Sequence, residues 1–156
     1  MGMGAFSRTS FHFTPTSMQK SSTINLWAVL VSALAYMGIS AAWYGAFATP
    51  WMTLSGITEE QAQNAGPAPF IVGFIGAVLM FYVLAFFFAK LNIQGAVQGM
   101  LTAALIWLAF YFTQGLTNDL FSIRPWQLSL INTGSTLVTM LVAGAIIGAW
   151  KVKAKS

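Results

Sequence analysis

Four long apolar runs set the limits on this chain: Ile24–Phe47, Pro69–Ala89, Gly95–Phe112 and Leu128–Trp150. Each is close to or above the roughly 18–20 residues that cross ~30 Å of hydrocarbon as a helix. None contains Lys, Arg, Asp, Glu or His. A helix at the surface of a water-soluble core carries a polar face, and these carry none. The expected fold is all-α: a polytopic membrane protein built as a four-transmembrane-helix bundle. Lipid tails offer no partners to the backbone, so each span must satisfy its own N–H and C=O groups as a helix.

The 156 residues are 57% hydrophobic and 6% charged, which leaves no room beside four spans for a separate soluble domain. Three segments are expected: a polar cationic tail at 1–23, the membrane domain at 24–150 and a short Lys-rich tail at 151–156. Ala46-Phe47-Ala48 resembles a signal-peptidase site. The run before it is much longer than a 7–15-residue signal core, so an uncleaved span is expected. The chain has no Cys, which excludes disulfides, thiolate catalysis and Cys-ligated metals. The net charge of +4 lies beside the spans, where anionic lipid headgroups explain it without nucleic acid.

The cations also orient the chain. Arg8, Lys20, Lys90, Lys151, Lys153 and Lys155 fall on one side, and only Arg124 falls on the other, with Glu59, Glu60 and Asp119. This bias places both termini in the cytoplasm. Trp27 and Trp150 mark the inner interface, and Trp43, Tyr44, Trp51 and Trp126 the outer one, where amphipathic rings prefer to sit. Between spans one and two, Thr58-Glu59-Glu60-Gln61 fits a capping box that opens a short surface helix. Lys90–Ile93 is read as a tight turn, and Thr113–Trp126 as the link between spans three and four. Gly56-Ile57-Thr58-Glu59-Glu60 and Gly115-Leu116-Thr117-Asn118-Asp119 suggest a faint internal repeat.

Catalysis needs positioned acids, bases, nucleophiles or metals. One His, two Glu and one Asp, all expected outside the bilayer, do not assemble such a set. Glu59 and Glu60 are adjacent on a helix, so their side chains diverge; their expected role is favourable charge at a helix N-terminus. The chain is therefore expected not to be an enzyme, and no metal or cofactor is expected. Phe11-His12-Phe13 in the tail could dock on a partner or in the interface.

Packing signals are stronger. Small residues four apart let helix backbones approach in a bilayer. Gly38 and Ala42, Gly73 and Ala77, Gly95 and Gly99, and Gly144 and Gly148 supply such a pair on each span. Span four also carries a polar stripe, Ser129, Asn132, Thr136 and Thr139, on one helix face, and span three has Gln98 and Thr102 at i, i+4. These groups either hydrogen-bond between helices or line a polar path. The absence of an ionisable member favours packing. Spans two and three carry aromatics on every side, from Phe70, Phe74, Phe81, Tyr82, Phe86, Phe87 and Phe88 to Trp107, Phe110, Tyr111 and Phe112. Such surfaces face lipid or protein, and could hold a bound lipid, quinone or pigment.

Trp43-Tyr44-Gly45-Ala46-Phe47, then Trp51, then Gly56-Ile57-Thr58-Glu59-Glu60 resemble the bacterial family called domain of unknown function 1761. Trp126–Asn132 and Gly144–Trp150 resemble its last span, and the similarity covers about residues 24–150. The resemblance implies a four-helix fold in a bacterial inner membrane. It brings no activity, so no catalytic residue is carried over. The functional expectation is an accessory or structural subunit of a larger membrane complex, photosynthetic or respiratory, whose partners are the bilayer and other membrane proteins or further copies of itself. The alternative is a small transporter or channel lined by the stripe of span four.

Overall fold

The computed structural model describes residues 24–150. The expectations for the two tails, including Phe11-His12-Phe13 and the flanking lysines, lie outside the described residues.

Helix α1 (Leu26–Ala46) starts at Asn25, whose side-chain oxygen accepts from the backbone N–H of Trp27 at 2.9 Å and of Ala28 at 3.4 Å. This cap satisfies donors that an apolar first turn cannot. Two short helices follow, α2 (Ala48–Ser55) and α3 (Glu59–Gln63). Gly56, at φ 72°, ends α2 in the left-handed region that suits glycine. Thr58 then opens α3 with the full capping box: Thr58 Oγ1 accepts from Gln61 N, and Gln61 Oε1 accepts from Thr58 N. The sequence located α3, whereas α2 was not expected.

Helix α4 (Ala68–Leu91) enters after Pro67, with Pro69 in its first turn, where a missing N–H costs nothing. It ends at Asn92, in the left-handed conformation at φ 54°. The third span differs most from expectation. Helix α5 (Ala96–Ile106) passes through a π-helical segment, Trp107–Phe112, into α6 (Thr113–Phe121), one continuous run from Ala96 to Phe121. The expected link at Thr113–Trp126 is therefore mostly helix, and the connection shrinks to Ser122–Pro125. Nothing from Thr113 to Phe121 breaks a helix, and Asp119 finds partners inside the fold. The suggested repeat also dissolves. Gly56 and Thr58 flank a break between helices, whereas Gly115 and Thr117 lie inside one.

Helix α7 (Trp126–Ala149) completes four helices long and apolar enough to cross a membrane, with no strand among the described residues. It is the hub, touching α1, α2, α4, α5, the π segment and α6, while α4 packs chiefly on α1. The core joins Val29 and Ala33 of α1, Ala77, Phe81, Leu84 and Phe88 of α4, Ala103 of α5, and Met140 and Ala143 of α7. Ile24, Ala89, Gly95 and Trp150 border one cavity, so the first span begins and the last ends at the same end of the bundle, here called the terminal end.

The π segment explains how one long span faces α7 twice. In an unbroken α-helix, at about 100° per residue, Gly115 would sit about 120° around from Ala103. A π segment holds one residue in surplus of the α register, which reduces that offset to about 20°. Both residues then meet α7: Ala103 is buried beside Gly144, and a Cβ on Gly115 would lie 2.7 Å from Thr133 Cγ2.

Candidate functional site

The polar residues of the molecule gather on the first four turns of α7, and three indoles reach three consecutive residues there. Trp43 Nε1 of α1 donates to Ile131 O at 2.9 Å. Trp51 Nε1 of α2 donates to Asn132 Oδ1 at 3.0 Å, and Tyr44 Oη donates to the same oxygen at 3.3 Å. Trp107 Nε1, at the start of the π segment, donates to Thr133 O at 2.8 Å. An indole nitrogen can only donate, so the Asn132 atom facing Trp51 must be the oxygen. Trp43 can lie this close because residue 134 is glycine: a Cβ there would fall 2.9 Å from the indole ring. Tyr44 and Trp51 also meet edge to face, with ring centroids 5.8 Å apart.

One turn earlier, Ser129 Oγ donates to Asp119 Oδ2 at 2.7 Å. Asp119 is 5% exposed, not the surface charge that its place in an expected loop suggested. Its other oxygen faces Arg124 Nη1 at 3.9 Å, and its carbonyl accepts from Arg124 N at 2.8 Å. The Ser122–Pro125 turn is thereby tied to the helices on both sides. Ile123, within it, sits at φ 56°, which a β-branched side chain disfavours.

The rest of the stripe, with Thr133 beside it, turns inward on its own helix. Thr133, Thr136 and Thr139 donate to Ser129 O, Asn132 O and Ser135 O. Gln98 is exposed and accepts from Gln94 N, and Thr102 donates to Gln98 O. That pair does not join Asn132. Trp27, Trp126 and Trp150 are exposed, the first at 71%. Trp43, Tyr44 and Trp51 direct their polar atoms to α7.

The lower half of α7 meets α5 chiefly through glycine. A Cβ on Gly144 would lie 2.8 Å from Ala103 Cβ and 2.9 Å from Gly99 C, and one on Gly148 would lie 2.6 Å from Gly95 O. Gly95 N donates to Gly148 O at 2.6 Å, a backbone hydrogen bond between two spans. Ala77 is buried, and a Cβ on Gly73 would lie 3.9 Å from Tyr36 Oη. The expected contact at Gly38 and Ala42 is absent: both are exposed, and a Cβ on Gly38 meets nothing within 4 Å. That face of α1 turns away from its neighbours. Below the glycine contact, a cavity of about 280 Å³ opens at the terminal end between Asn25, Phe88, Gln94, Gly95 and Trp150.

The sequence reading passed over Thr133 and Gly134, took Trp107 as an aromatic facing lipid or protein and Gly115 as part of a repeat, and misplaced Asp119. Only Asp119 left a usable signal: a helix-compatible stretch up to a Ser-Ile-Arg-Pro break, with Ser129 one turn past it.

This arrangement is a polar clasp between helices, with its donors and acceptors turned on each other. Among the described residues, no three His, Cys, Asp or Glu side chains converge as metal ligands would. The fold and the clasp define a polytopic helical membrane protein. A family model described as "Protein of unknown function (DUF1761)" matches residues 27–148, and the chain belongs to that family. No curated protein and no solved structure matches it.

Proposed function

We propose that this is a non-enzymatic integral membrane protein that binds other membrane proteins as an accessory subunit of a larger complex, photosynthetic or respiratory. One observation carries the reading. The polar groups that could line a path or perform chemistry are bonded either across to another helix or back onto their own helix, while apolar faces stay uncovered. On α5, Val97, Leu101 and Leu105 recur at i, i+4 and i+8, and all three are exposed. That stripe continues toward Phe110, also exposed. In a bilayer, helices associate through side-chain packing on such faces. The glycine contact between α5 and α7 supports the same reading, because it brings two backbones together where a pore along the stripe would need space. The cation bias favours both termini in the cytoplasm, and the family resemblance a bacterial inner membrane.

The test is a photo-crosslinking residue at Leu101 or Leu105 in the tagged chain, expressed in its own host and recovered in mild detergent. A single partner crosslinked in stoichiometric amount at both positions is the expected result. Monomer alone would count against it. Solute flux in liposomes that Asn132→Leu abolishes without loss of folding would replace it with the transporter.

A further inference from the structure

A second uncovered apolar surface lies between α1 and α4. Between α1 and α4 runs a groove of about 650 Å³, open sideways. Leu26, Val29 and Leu30, in the first two turns of α1, form one wall. Phe74, Ile75, Val78, Leu79 and Tyr82 of α4 form the other. The Tyr82 phenol is the one side-chain polar group on these walls. It is exposed and makes no hydrogen bond among the described residues.

From Tyr82 the α4 surface continues through Phe86 to Lys90, at i, i+4 and i+8, which places the three on one helix face. Lys90 folds back over its own helix. Its ammonium lies over the Phe86 ring, 5.6 Å from the centroid, and so is drawn back toward the groove. Lys90 is exposed, and no carboxylate pairs with it among the described residues. It stands at the terminal end, two residues before the chain leaves the helix at Asn92. The distance along the axis from Tyr82 to Lys90 is about 12 Å.

We propose that this groove holds one acyl chain of an anionic phospholipid, with its phosphate on Lys90. The walls suit a methylene chain, because they are apolar and lie along the helix. Tyr82 lies about 12 Å below Lys90 along the axis, at acyl-chain depth, where its ring can pack on methylenes. An unpaired cation near an anionic leaflet attracts that headgroup. A partner helix would fill the apolar walls equally well but would leave the Lys90 charge without a purpose. The site is independent of the α5 face and of the partner-binding reading.

The experiment is native mass spectrometry of the full chain, released from detergent that contains equimolar phosphatidylglycerol and phosphatidylcholine with the same acyl chains. The wild type is expected to retain phosphatidylglycerol several-fold over phosphatidylcholine. Lys90→Gln removes that preference with an unchanged melting midpoint. Ile75→Trp, which fills the groove from an exposed position, lowers retention of both lipids. Equal retention by the wild type, or an undiminished preference in Lys90→Gln, overturns the proposal. An effect of Lys90→Gln without one of Ile75→Trp reduces the site to a surface charge and also overturns it. A lipid-free dimer lost in Ile75→Trp assigns the groove to a second copy.

Discussion

Trp51 and Asn132, 81 residues apart in sequence, are joined by a 3.0 Å hydrogen bond from the indole N–H to the amide oxygen. The bond fastens α2, which follows the first span, to the upper part of the last one. Tyr44 shares the acceptor, so Asn132→Leu strands two donors at once. The expected cost is about 1 kcal/mol, the scale of hydrogen bonds between membrane helices when a donor is left partly unsatisfied. Unfolding in mild detergent measures it. A double-mutant cycle with Trp51→Phe should return a coupling of about 0.6 kcal/mol. Strict additivity would show that the two side chains do not interact.

The glycines of the bundle are predicted to divide by position. Gly99→Ala places a methyl 2.9 Å from the carbonyl carbon of Gly144 and 3.1 Å from Phe88 Cε2. Overpacking against backbone typically costs about 1–3 kcal/mol, so the melting midpoint should fall clearly. Gly38→Ala meets nothing within 4 Å, and alanine is the better helix former. Its midpoint should hold or rise. Equal losses in both variants would contradict the α5–α7 contact.

Ile123 offers a stabilising change. It is 94% exposed at φ 56°, so it contributes no packing within the bundle and carries the left-handed penalty of about 1–2 kcal/mol for an L-residue. Asparagine tolerates that conformation. Ile123→Asn should therefore raise the melting midpoint in detergent, while the Arg124 N to Asp119 O bond keeps the turn in place. A lowered midpoint would mean that the isoleucine packs on something outside the described residues.

The chain has no native cysteine, so single cysteines report sidedness directly. Gln63 follows the first span and Gln94 follows the second, and both are exposed. Cysteines at the two positions should react with a membrane-impermeant maleimide from opposite sides, Gln94→Cys from the side of Lys90. Reaction of both from one side would remove one of the four spans.

Much of this architecture was legible because a bilayer leaves few options. Run length alone set four spans, and the Thr58–Gln61 spacing located α3. The pairing of elements was less accessible. Gly38 and Gly144 look alike in sequence, yet only Gly144 meets another backbone, because helix rotation is decided by all neighbours together. Trp43 and Trp27 both suit an interface by composition. The difference is that Trp43 stands opposite Gly134, whose missing side chain lets the indole reach a carbonyl. Asp119 was misplaced because a carboxylate at the end of an apolar run reads as an exposed loop residue. Only the fold reveals Ser129 beside it. The π segment has no compositional mark at all.

That segment has a consequence for the history of the gene. Ala103 and Gly115 face α7 together because one residue between them advances the chain without advancing the face. A chain lacking one residue there, such as the exposed Leu108, would wind evenly and still present both to α7, about 20° apart. The same deletion in α5 below Ala103 would turn Gly95 and Gly99 against the rest of the span by about 100°, and pull them off Gly144 and Gly148. The third span can thus lose a codon at its middle, but not between Gly99 and Ala103.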